Sequence, residues 1–502
     1  MAGSGVSSSS SSSHPRFLRF ISVPHLLLLL ALLVASTGNP DGARGKASLR
    51  LNLRSFLEQK TDISSSSKAS RSCISQRSRQ RNGAIILEII HRDHCSGQKT
   101  TTWYDEAEKT LTSDDARVRS IQSRIKSMIS RKKDEVSELQ IPLTSGIKLQ
   151  TLNYIVSVAL GGRKMSVIVD TGSDLTWVQC QPCRVCYTQQ DPMFNPSISP
   201  SYRSISCNSS TCQSLLFEAG NSGICSGMSP QSCSYSVTYS DGSHTRGELG
   251  LDTLSLGTVP VNNFIFGCGR DNKGLFGGAS GLMGLGRSSI SLISQTSAMF
   301  GGVFSYCLPS AGAASTGSLV FGGDSSVYKN STPFSYADIN LNQEMPTFYF
   351  LNLTGVRVGG VALESPSFGN SGILIDSGTV ISRLQPSIYR ALKGEFLRQF
   401  SGFPSAPPFS ILDTCFNLTS YQEVDIPEIK MHFGDNAQLA VDLTGVFYFA
   451  KPDASQVCLA VASLTYENDV GIIGNYQQKN QRIIYDTQGN KLGIGKETCS
   501  FM

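Results

Sequence analysis

The chain has 502 residues, 40% of them hydrophobic and 47 of them glycine, with a formal charge of +5. Its length exceeds one ordinary core and predicts two or more domains. The positive charge sits wholly in residues 1–140, with 22 Lys and Arg against 13 Asp and Glu (+9), while the remainder carries 21 against 25 (−4). The body therefore offers no basic stripe for a phosphate backbone, which argues against nucleic acid as a partner.

Residues 1–37 have the form of a secretory signal: Arg16 and Arg19, an apolar stretch from Leu26 to Val34, then Ala35-Ser36-Thr37. The apolar run is shorter than the ~20 residues a membrane span needs. A serine-rich, acid-free start keeps a plastid transit peptide as the alternative. Residues 38–140 are polar and poor in core material, and two islands stand out. Ala84 to Ile90 reads as a strand. A helix is expected from Ser113, taken as its N-cap, to Ser130, with Val118, Ile121, Ile125 and Met128 as its apolar stripe. The basic Arg117, Arg124 and Arg131 fall mostly off that stripe. Lacking a core of its own, the helix should pack on the domain that follows.

From residue 141 the texture changes to short Gly-bounded apolar runs, which predict an all-β protein. Residues 141–335 form one lobe, with a cysteine-rich insertion between Trp177 and Tyr235, and residues 336–502 form a second. Each lobe carries a triplet after a β-branched or leucine run. These are Asp170-Thr171-Gly172, followed by Ser173, and Asp376-Ser377-Gly378, followed by Thr379. One such triplet is an ordinary turn; two with matching flanks predict a duplicated lobe with two carboxylates face to face. Each is followed, about a hundred residues on, by a Gly-bounded apolar segment: Gly281 to Gly286 and Gly471 to Asn475.

Two carboxylates at ~3 Å share one proton, so one can activate a water while the other protonates a carbonyl oxygen. The hydroxyls of Thr171, Ser173, Ser377 and Thr379 are placed to hold the loops and the acids. Tyr235, Val237 and Tyr239, ahead of an Asp241-Gly242 turn, predict a hairpin able to cover such a site. No His-Glu-x-x-His pair or Gly-x-Ser-x-Gly elbow is present. No metal or other cofactor is expected.

Twelve of the fourteen cysteines follow residue 179, which predicts disulfides made in an oxidising compartment. Asn208, Asn330, Asn352 and Asn417 head N-glycosylation sequons. From the closing residues Cys499-Ser500-Phe501-Met502 no lipid anchor is expected.

The two Asp triplets, Trp177, Tyr239 to Ser243, the Gly-bounded segments, the cysteine-rich insertion and Phe266-Gly267-Cys268-Gly269 together resemble the pepsin-type aspartic endopeptidases, within them the plant nepenthesin-type group. Ile89 to Asp93 resembles a propeptide motif of that group, although His94 stands where it has a small residue. The resemblance implies a bilobal acid protease made as a secreted zymogen, with propeptide 38–140, acid activity, and Asp170 and Asp376 as the catalytic pair. Tyr239 would be the flap tyrosine, with Trp177 bonded to its hydroxyl. It also implies six bridges: Cys180–Cys183, Cys186–Cys268, Cys207–Cys233, Cys212–Cys225, Cys307–Cys499 and Cys415–Cys458. Cys73 and Cys95 fall in the propeptide. The expected partners are an extended peptide substrate and the chain's own propeptide, in a monomer acting in the apoplast, with vacuole and chloroplast as alternatives. The rival functions are a silent pepsin-fold inhibitor and a plastid DNA-associated protease.

Overall fold

The computed structural model describes residues 47–55, 57–58, 77–91, 102–131, 154–213, 225, 231–238, 243–274, 276, 278–310, 316–328, 333–341, 345–369 and 372–501. The export segment, residues 132–153, Cys73 and Cys95 lie outside them.

The architecture is all-β, with two lobes built on the same local plan. In chain order the elements used below begin with β1 (Ser48–Asn52), β2 (Ala84–His91) and α1 (Trp103–Arg131). The first lobe adds β3 (Tyr154–Leu160), β4 (Arg163–Asp170), β5 (Trp177–Gln179), β6 (Ser234–Thr238), β7 (His244–Leu256), β8 (Val259–Lys273), β9 (Gly281–Gly284) and β10 (Gly317–Phe321). The second adds β11 (Phe350–Val358), β12 (Gly372–Ile375), β13 (Ser382–Leu384), β14 (Glu423–Pro427), β15 (Val461–Ser463) and β16 (Gly471–Ile473).

The repeat is topological as well as sequential. Strand β4 ends at Asp170 and pairs in parallel with β9, while β9 runs antiparallel to β5. Strand β12 stops one residue short of Asp376 and pairs in parallel with β16, while β16 runs antiparallel to β13. The glycines of the Gly-bounded segments have a steric reason. A Cβ at Gly284 would meet the Asp174 carbonyl, and one at Gly474 the Val380 carbonyl, so each segment crosses directly under an Asp loop.

Elements upstream of residue 141 are built into this body. Strand β2 lies between β10 and β3 in the largest sheet, its Ile85, Ile86, Leu87 and Ile89 all buried. Strand β1 pairs antiparallel with β14 on the second lobe. The helix packs as its apolar stripe requires. Ala107 and Leu111 join Val380, Ile381, Phe409 and Leu412, while Val118, Ile121 and Ile125 join Met345, Phe348, Phe350 and Leu374.

Two expectations are corrected here. The helix begins at Trp103 rather than after Ser113, because Thr102 Oγ1 accepts from the Asp105 N–H at 3.2 Å and Asp105 and Glu106 favour its first turn. Ser113 lies mid-helix, its hydroxyl bonded to the Lys109 carbonyl at 2.8 Å. The second correction is the disulfide pairing. Cys307–Cys499 and Cys415–Cys458 are as expected, but the other four bridges are Cys180–Cys268, Cys183–Cys186, Cys207–Cys225 and Cys212–Cys233. Register decides the first pair: β5 and β8 run parallel with Cys268 opposite Val178, and the Cys180 N–H bonds the Gly269 carbonyl at 2.8 Å. That sets Cys180 beside Cys268, with Cα atoms 5.4 Å apart. In the insertion, Cys212 and Cys233 are buried in one apolar cluster with Trp177 and Leu249, whereas Cys225 is exposed and meets Cys207 outside it.

Candidate active site

Asp170 and Asp376 are fully buried and face each other across the two triplet loops. Each is held in the same way. Ser173 Oγ donates to Asp170 Oδ2 at 2.6 Å, and the Gly172 N–H to its Oδ1 at 3.1 Å. Thr379 Oγ1 donates to Asp376 Oδ2 at 2.6 Å, and the Gly378 N–H to its Oδ1 at 2.9 Å. The loops also grip each other: the Thr171 N–H donates to Ser377 Oγ at 3.1 Å, and the Ser377 N–H to Thr171 Oγ1 at 2.9 Å. A Cβ on Gly172 would stand 2.8 Å from Asp376 Oδ1, and one on Gly378 would strike Asp170 Oδ1. Only glycine lets the two carboxylates come this close.

Between them lies a group that pattern reading set aside. Arg117, on α1, places Nη2 2.7 Å from Asp170 Oδ1 and 2.9 Å from Asp376 Oδ2, with Nε 3.0 Å from Asp376 Oδ2. Its side chain is 10% exposed. Burial alone would lower its pKa, but the two carboxylates outweigh that and hold the guanidinium above its ordinary value. Three residues earlier, Asp114 Oδ1 accepts from the Val380 N–H at 2.5 Å and Oδ2 from the Ile381 N–H at 3.0 Å. Arg383 Nη2 lies 3.0 Å from Oδ2. The available signal was the offset of Arg117 from an apolar stripe, which the sequence presents as a solvent-facing position.

The expected cover is placed in part. Strands β6 and β7 form a hairpin with Thr238 opposite His244, and residues 239–242, with Tyr239, lie outside the described residues. Next to its turn Asp271 accepts from Arg184 Nη2 at 2.5 Å and lies 3.1 Å from His244 Nε2. Burial would raise the Asp271 pKa, but the bonds to His244 and Arg184 outweigh it and hold the carboxyl below its usual range. Trp177 is buried in the first lobe, edge-on to Phe276 at 4.9 Å. Asn208 and Asn417 are exposed, Asn352 is half-buried on β11, and Asn330 lies outside the described residues. All twelve cysteines after residue 179 are in disulfides, which leaves no thiolate among them to hold a metal.

Comparison with known proteins agrees with this geometry. Residues 154–323 match the family described as xylanase inhibitor N-terminal, and residues 348–496 that described as xylanase inhibitor C-terminal. An aspartyl protease family protein of Arabidopsis thaliana is 42% identical over 82% of this chain and 87% of its own length. Nepenthesin-1 of Nepenthes gracilis is 35% identical over 69% and 78%. Among solved structures, basic 7S globulin from soybean gives a TM-score of 0.54 at 21% identity, covering 69% of this chain and 92% of that one, a likeness of fold alone. The chain belongs to the plant pepsin-like aspartic proteases, the family of the nepenthesins.

Proposed function

We propose that the chain is an aspartic endopeptidase made as a secreted precursor and held inactive by α1. The observation that carries the reading is the single nitrogen, Arg117 Nη2, within 3.0 Å of both Asp170 and Asp376. It occupies the place an attacking water takes. Once it leaves, the pair holds one proton. The ionised acid removes a proton from the water, the protonated acid donates to the carbonyl oxygen of the peptide, and the roles exchange as the tetrahedral species collapses. The mirrored hydroxyl and amide donors keep both carboxylates aimed at that point without reorganisation.

Acid triggers release through the dyad. Protonating the carboxylates removes the charges that Arg117 answers. Asp114 acts in the other direction. Burial holds its carboxyl above the usual range, although Arg383, the Val380 and Ile381 amides, and Arg117 favour its anion. The docked helix therefore binds that proton more tightly than a free helix does, and Asp114 by itself strengthens docking as pH falls. The six disulfides support passage through an oxidising compartment and action in the apoplast. A silent inhibitor finds no support in the site, where both acids, both glycines and all four hydroxyls stand in place.

The test is pepstatin-sensitive digestion of denatured globin by the processed protein at about pH 4, near the carboxylate range, with Asp376→Asn as the inactive control. A processed, fully bridged sample that cuts nothing would overturn the reading. Equal maturation of wild-type and Asp170→Asn precursors would show that another protease removes the helix.

A further inference from the structure

The pseudo-symmetry of the lobes places one residue of each at the same point. Trp177 lies seven residues after Asp170 and opposite Leu282 on β9; Arg383 lies seven residues after Asp376 and opposite Ile472 on β16. In the first lobe the position holds an apolar ring within a core. In the second it holds a guanidinium that is 1% exposed. Its Nη1 donates to the Ile381 carbonyl at 2.7 Å, which aims the fork. Its Nη2 makes no aligned hydrogen bond and has only the Asp114 carboxylate, at 3.0 Å, as a counter-charge among the described residues. The Val380 and Ile381 amides point at the same carboxylate. Asp114 leaves with α1, so maturation opens a cradle of one buried cation and two N–H donors beside the dyad.

We propose that this cradle is a substrate subsite for a carboxylate, and that it gives the enzyme a preference for peptides with Asp or Glu a few residues from the bond cut. The inference rests on the reading that α1 vacates the cleft in the active enzyme. Asp114 is then an internal occupant of the subsite, as Arg117 is of the dyad. A buried guanidinium without a partner is costly, and an ionised side chain bonded to backbone amides and a guanidinium fork is the group that best relieves it. Burial is what penalises the Asp114 anion, and its apolar neighbours one helical turn to either side, Leu111 and Val118, are themselves buried where α1 docks. An extended peptide brings no such face.

The experiment is a glutamate scan of a fluorogenic peptide cut by the processed enzyme at about pH 5, where a free Glu is ionised. One position is expected at which Glu raises kcat/KM about tenfold over Gln, the scale of a charge-assisted hydrogen bond, and at which Lys is rejected. Arg383→Met should remove that preference, so that the Glu and Gln peptides are cut with equal kcat/KM. Arg383→Lys, which keeps the charge without the fork, should retain part of it if the Met variant fails to fold. Fluorescence anisotropy of the same peptides on the prosegment-free protein reads the subsite independently of catalysis. A Glu preference in binding without hydrolysis would refute proteolysis and keep the subsite. Equal binding and cleavage of the Glu and Gln peptides at every position, or a preference that survives Arg383→Met, overturns it.

Discussion

Arg117→Ala in the full-length precursor isolates the plug from the rest of the prosegment. Two carboxylate–guanidinium pairs at about 3–4 Å are each worth ~4 kcal/mol at an effective dielectric of 20, and desolvating the three groups offsets several kcal/mol of that. The net contribution to docking is then about 3 kcal/mol, or roughly a hundredfold in the ratio of closed to open precursor. The remaining contacts, Leu111, Val118, Ile121, Ile125 and the Asp114 cradle, stay in place, so the variant should fold with its helix present and open more often. The assay is the rate at which unprocessed precursor takes up pepstatin and hydrolyses a short peptide, read before processing becomes visible on a gel. The variant should exceed wild type by about two orders of magnitude near neutral pH, with Arg117→Lys between them. The gap should narrow in acid, where protonation of the pair also opens the wild type. An Arg117→Ala precursor as closed as wild type would refute the argument, and apolar packing alone would then hold the cleft shut.

Ser377→Ala leaves the buried Thr171 N–H without its 3.1 Å acceptor and should cost about 1–3 kcal/mol in chemical denaturation. Gly378→Ala drives a Cβ into Asp170 Oδ1, and because a ~1 Å misplacement costs about a hundredfold, kcat should fall by at least that much with the fold retained by circular dichroism. Asp271 has a depressed pKa, so its contribution is fully present above the ordinary value of about 3.9 and is lost as pH falls through the folded value. Asp271→Asn should therefore lower Tm by a few degrees at about pH 5, and the difference should close toward pH 2.

How much was legible in advance follows from which residues interact locally. The strand-then-Asp-Thr-Gly pattern, its second copy and the β2 strand could be read because a continuous apolar run and a tight Gly turn leave a local trace. The helix start was missed because Ser113-Asp114-Asp115 imitates a cap, while the effective cap at Thr102 precedes two aromatic residues that hide it. The four corrected bridges depend on a parallel register between β5 and β8 and on which cysteines enter a core, and neither has a counterpart in linear spacing.

The sequence by itself determined the chemistry: two acids, the glycines that let them meet, the hydroxyls that hold them and an oxidised, β-rich frame. The tertiary structure alone decided what occupies that chemistry. Arg117 reads as part of the charged face of an amphipathic helix and Asp114 as an acid behind its cap, since one helix shows only which side is apolar. Their roles depend on Asp170, Asp376 and Arg383, 53 to 269 residues away along the chain. A charge pattern records a side chain's sign, and only folding supplies its partner.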